Sequence, residues 1–148
     1  MNQPQFTLTQ VAAAGPYRLA LTFADGLSTE VDLADTIARH PTLARLGSAK
    51  IFAQVAPDEW RLGVTFAGDD GLSLASDNLR AMALEQAGEY SHQQLVVWMH
   101  RHQLSLDTAA DALGISRRML AYYRSGEKPI PKTVGLAMLG WEVRQEAA

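Results

Sequence analysis

Three arginines, Arg117, Arg118 and Arg124, fall within eight residues of the stretch SRRMLAYYRSGEK (116–128), and no Asp or Glu lies between Asp111 and Glu127. A guanidinium is a planar fork of donors that grips paired acceptors, whether phosphate oxygens or the O6 and N7 edge of a guanine. Such a cluster is suited to holding a polyanion. The chain as a whole is nevertheless slightly acidic, with a net charge of −3 over 148 residues. Residues 1–88 carry 6 Lys and Arg against 10 Asp and Glu, and residues 89–148 carry 7 against 6. Affinity for a polyanion must therefore come from a local patch rather than from overall charge, and must be sensitive to salt.

Other chemistry has weaker sequence support. His92, His100 and His102 do not share one helix face, and there is no Cys to complete a ligand set, so no metal site is expected. GDDG (68–71) lacks the spaced ligands and distal Glu of a calcium loop and reads as a turn. The acid pairs Asp58-Glu59 and Asp69-Asp70 sit in turn-like sequence, where they are solvated. No glycine-rich phosphate loop follows a strand, and no nucleophile elbow is present. The expectation is a protein that is not an enzyme and needs no cofactor. Trp60, Trp98 and Trp141 read as core or domain-contact residues rather than stacking platforms.

The elements that would position the arginines are helical. Ser91 with Gln94 three residues on makes a capping box that opens a helix to about His102, with Leu95, Trp98 and Met99 inward. Ser105 caps the next helix, Asp107 suits its first turn, and Leu106, Ala109, Ala110 and Leu113 form one apolar face. Gly114 stands where a left-handed residue would end that helix. Ile115 fills the angle and Ser116 caps a third helix, whose buried set is Leu120 and Tyr123 with Met119 at the flank. Its other face carries Arg117, Arg118, Ala121, Tyr122 and Arg124. Gly126 ends it, and a helix starting at Pro131 buries Val134, Ala137, Met138 and Trp141.

Upstream, the period is that of strands. YRLALTF (17–23) and LSTEVDL (27–33) alternate around Asp25-Gly26, the clearest hairpin in the chain. Residues 34–46, broken by Pro41, predict a helical turn or two. IFAQVA (51–56) and RLGVTF (61–66) predict two more strands, followed by a brief LSL and a helix from Ser76 or Asp77 that buries Leu79, Met82 and Ala83. The expected architecture is α+β. A small β-rich N-terminal domain (1–86) of hairpins and short helices is followed by an all-α domain (87–148), with a boundary near AGEY (87–90).

The segment from about Tyr90 to Arg144 resembles the lambda-repressor-like (Xre-type) helix-turn-helix domain. The matching features are the LS opening at 104–105, Ala110, Leu113-Gly114-Ile115-Ser116, Leu120, Tyr123 and the closing Gly126. The resemblance implies that the helix 116–125 enters the DNA major groove. Arg117, Arg118, Ala121 and Tyr122 would then face bases, while Ser105, Ser116, Arg124 and Lys128 would contact phosphates. Where that family usually has Gln or another polar residue touching DNA, this chain has Leu106, so a base contact from that position is lost.

Residues Tyr17 to Leu84 resemble the small bacterial "domain of unknown function 2442" family, through LTFADG, VDL, IFAQV and the later DG-x-x-L-x-x-DNL pattern. The combination looks like bacterial transcription regulators, and some such proteins sit beside small toxin-like partners. The resemblances imply a dimeric, sequence-specific DNA-binding regulator, in particular a repressor, whose partner is double-stranded DNA. The alternatives are a protein-interaction module that does not bind DNA and an antitoxin-type partner-binding protein. Homodimerisation is the simplest role for the N-terminal domain, with a protein partner or a small ligand as others. No Cys, no long apolar run and no signal-peptide pattern at MNQPQFTLTQ lead to the expectation of a cytoplasmic protein without a membrane span.

Overall fold

The structure is a computed structural model that describes residues 3–148. The chain divides into two compact units, residues 1–86 and 87–148. The architecture is α+β: antiparallel sheets with short helices, then helices alone.

In the first unit, β1 (Leu8–Ala13), β2 (Arg18–Phe23) and β3 (Ser28–Asp32) form one antiparallel sheet in the order β1-β2-β3. The alternation of β2 delivers Leu19, Leu21 and Phe23 to the core, and Val31 of β3 joins them opposite Leu19. Gly26 takes φ 98° in the connecting turn, and the Asp25 carboxylate accepts from the Leu27 amide at 3.2 Å. Strand β1 was not expected. Only Leu8 of its residues is fully buried, and its ladder slips between Leu8 and Gln10, so it carries almost no period-two signal.

α1 (Ala34–Arg39) and a 3-10 turn (Pro41–Gly47) follow, split at the proline. The next stretch corrects the sequence expectation. Residues 51–54 are not strand, and of the expected 51–56 only 55–56 are: α2 (Ala49–Phe52) begins where Ser48 accepts from the Ile51 amide, and β4 covers Val55–Pro57. An apolar run this short fits either period. The helical turn wins because it lays Phe52 on Phe66, ring centroids 5.3 Å apart.

β4 pairs with β5 (Gly63–Phe66), and β5 with β6 (Asp69–Ala75), in a second antiparallel sheet. The reversal before β6 is confined to Ala67 and Gly68, both at positive φ. Asp69, Asp70 and Gly71 therefore begin the strand rather than fill a turn. Asp69 meets Arg45 at 2.6 Å. Trp60 is also corrected: it is 76% exposed, at the tip of a loop tied by the Asp58 carboxylate to the Leu62 amide, with no periodic stripe to turn it inward.

α3 (Ser76–Gln86) closes the unit, with Leu79 and Ala83 buried and Met82 packed at the edge. Arg80 is buried with them. Its guanidinium is forked onto Asp25 at 2.7 and 3.1 Å, donates to the Gln5 carbonyl at 2.8 Å and lies 5.0 Å from the Phe23 ring centroid. A charge at that depth persists because its donors are matched by acceptors.

The second unit holds α4 (His92–Arg101), α5 (Leu106–Leu113), α6 (Arg117–Ser125) and α7 (Lys132–Ala147). Leu95, Trp98, Met99, Ala109, Ala110, Leu120, Tyr123, Ile130, Val134 and Met138 make its core, flanked by half-buried Leu106, Leu113, Ile115, Met119 and Trp141. His102 lies beside Glu142 at 3.0 Å, its ring edge-on to Trp98 and Trp141. No described helix is long and apolar enough to cross a membrane.

Candidate nucleic-acid interface

The turn between α5 and α6 determines what α6 can present. Ser105 accepts from the Thr108 amide at 3.1 Å and Thr108 Oγ1 from the Ser105 amide at 2.8 Å, a reciprocal cap that starts α5. At the other end Gly114 takes φ 70°. Its amide donates to the Asp111 carbonyl, and the Ile115 amide donates to the Ala110 carbonyl at 3.1 Å. This pair of bonds is the Schellman arrangement, which satisfies two terminal carbonyls and turns the chain sharply. Ser116 then accepts from the Met119 amide at 3.1 Å and starts α6 within two residues. Ala109 and Ala110 are buried on α5 in the core it shares with α6, and side chains this small let neighbouring backbones approach.

Leu120 and Tyr123 pin one side of α6 into the core. The opposite side is thereby turned outward. Arg117, Arg118 and Arg124 are exposed on it, Ala121 and Tyr122 are half-buried, and Lys128 follows in the exposed loop after Gly126. Ser105 and Ser116 are exposed at the two helix starts, their oxygens already accepting backbone amides. Leu106 is half-buried against the core and presents no polar group.

Two arrangements among these side chains were not apparent from the sequence. Tyr122 is flanked by two cations: the Arg118 guanidinium carbon lies 5.8 Å from its ring centroid and Lys128 Nζ 4.6 Å. Arg118 also donates to the Tyr122 hydroxyl at 3.3 and 3.4 Å, and this bond raises the guanidinium pKa above its already high ordinary value. The i, i+4 spacing of 118 and 122 carried that signal. The second is an ion pair between Arg117 Nε and Asp107 Oδ1 at 3.0 Å. Asp107 suits the α5 first turn, as its position suggested, but it also reaches across to α6 and holds one arginine in place. The arginines are thus not entirely free of acids, as the gap between Asp111 and Glu127 had implied.

The result is a convex helix face that displays guanidinium forks, one aromatic and one small residue, with a lysine and two hydroxyls at its margins. That set can donate to paired acceptors and lie against a flat apolar edge. The search of family models returned no match, and neither did the search of curated proteins. Among solved structures, the chain is similar to the crystal structure of "Putative DNA Binding Protein NE0471" from Nitrosomonas europaea ATCC 19718. The two are 48% identical with a TM-score of 0.84, and the match covers 96% of this chain and 90% of that one. At that identity and coverage, the chain belongs to the family of that Nitrosomonas europaea protein.

Proposed function

We propose that this chain is a sequence-specific DNA-binding transcriptional regulator, a repressor that places α6 in the major groove and acts as a dimer. The observation that carries the reading is the outward face of α6, where Arg117, Arg118, Ala121 and Tyr122 stand together on a helix held by Gly114 and the Ser116 cap. The Nitrosomonas europaea relative, described as a "Putative DNA Binding Protein", points the same way. In this reading residues 87–148 are a lambda-repressor-like domain. Arg117 and Arg118 grip guanine edges, while Ala121 and Tyr122 meet thymine methyls. Ser105, Ser116, Arg124 and Lys128 hold phosphates and set the register. Residues 1–86, with their likeness to the domain of unknown function 2442, offer a surface to a protein partner or small ligand. The protein works in the cytoplasm and needs no catalysis or cofactor, because occupying a promoter is itself the mechanism.

The test is a selection of bound sequences from a random duplex library at moderate salt, run in parallel for the wild type, Arg117→Ala and Arg118→Ala. The wild type should return a two-fold-related motif. Each variant should lose preference at one position per half-site, at a cost of about 1–3 kcal/mol. Lys128→Ala should instead weaken binding to all sequences alike. If nothing is enriched and all proteins bind equally weakly, the reading is overturned in favour of a protein-interaction module, including the antitoxin-type variant.

A further inference from the structure

α7 is apolar on two opposite faces. Val134, Met138 and Trp141 pack into the core of the second unit. On the other side Leu136, Leu139 and Val143 are 50%, 51% and 63% exposed, and Gly140 lies among them with open space where a side chain would stand. A helix advances about 100° per residue, so Lys132, Leu136, Leu139, Gly140, Val143 and Ala147 fall in a single stripe opposite the core face. No charged residue interrupts the helix from Thr133 to Trp141. Single exposed apolar residues are ordinary, but a helix apolar all round is one that is covered on both sides.

We propose that this stripe is the homodimer interface, α7 packing antiparallel against α7 of a second copy about a two-fold axis between Leu139 and Gly140. Two features favour a second copy over any other occupant. The first is shape. In that register Leu136 faces the partner's Val143, and Leu139 enters the notch at the partner's Gly140, twice over by symmetry. The second is charge. Lys132 in the first turn and Glu146 in the last each sit at the end of α7 where its own dipole disfavours them. An antiparallel partner brings each within one residue of the oppositely charged side chain and opposes the two dipoles. The inference rests on the DNA-binding reading only in supplying the pair of recognition helices that reading needs. Its test contains no DNA.

The experiment is sedimentation velocity of the full chain over a range of micromolar concentrations. The wild type should sediment as a dimer of 16.1 kDa chains. Leu139→Glu should be monomeric with an unchanged circular dichroism spectrum, since the residue is exposed. Gly140→Leu, which meets nothing within its own chain, should keep its helix content yet lose the dimer. Lys132→Glu and Glu146→Lys should each weaken dimerisation several-fold, and the double exchange should restore it. A wild type that stays monomeric, or a dimer indifferent to Leu139→Glu and Gly140→Leu, overturns the interface. Failure of the double exchange to restore dimerisation overturns the antiparallel register. A dimer broken by these variants whose wild type nevertheless selects no DNA sequence would refute the DNA-binding reading alone.

Discussion

Asp107 places a carboxylate against the arginine face, and its pair with Arg117 is largely solvent-exposed on both sides. An exposed pair of this kind contributes at most about 1 kcal/mol to folding. In the proposed reading its larger effect is on what approaches, because a negative charge beside a phosphate-binding surface repels every duplex equally. Asp107→Ala should therefore leave the urea midpoint nearly unchanged while strengthening binding to random-sequence duplex, read by titration at fixed salt. Binding no tighter than the wild type would show that Asp107 lies outside the interface. Arg118 contributes no pH dependence of its own near neutrality: the Tyr122 hydroxyl raises its pKa further, so it stays protonated throughout that range. Tyr122 itself was identified by its place on α6. Its contact with Lys128 depends on the loop after Gly126, which no spacing rule describes.

At the scale of elements, α5 and α6 were legible almost residue by residue. Their caps, apolar faces and terminal glycines are local signals that use only neighbouring backbone. Two glycines of this unit separate local from non-local constraint. Gly114 is needed for its left-handed conformation, since an added Cβ would meet nothing. Gly114→Ala should cost about 1–2 kcal/mol in denaturant unfolding, by backbone strain alone. Gly135 is helical, but an added Cβ would strike the Tyr90 ring. Gly135→Ala should cost about 1–3 kcal/mol through overpacking, despite the better helix propensity of Ala. If Gly135→Ala instead stabilised the chain, that tight packing against Tyr90 would be wrong. α2 and β1 were misread or missed for the reverse reason. Four residues of helix and an edge strand with one buried side chain carry too little period to be told apart, and contacts distant in sequence decide them.

Across the whole molecule, charge is unevenly distributed between the units, and the cations available for DNA are few. In the proposed reading Arg124 and Lys128 are the phosphate-facing cations of each chain, four in the proposed dimer. Neutralising four phosphates gives a slope near −0.9 per contact in log affinity against log salt. Raising salt from about 50 to 200 mM should then weaken binding on the order of a hundredfold. A titration series at several salt concentrations checks this. A flat dependence would exclude α6 as the DNA-facing element, while a much steeper one would reveal cations elsewhere on the surface.

The sequence by itself determined the α+β class, the central hairpin of the first unit, the helical series of the second and the outward set on α6. Each of these rests on alternation, helical phase, capping residues or a turn glycine, all set within about a dozen residues of chain. Only the tertiary structure decided that Trp60 stands in solvent, that residues 49–52 coil to bring Phe52 onto Phe66, and that Arg80 is buried against Asp25. It also decided that Asp107 reaches Arg117 and that α7 keeps an apolar stripe exposed behind its core face. These depend on which surfaces remain once distant segments have packed, and a residue's type and spacing do not say what lies opposite it.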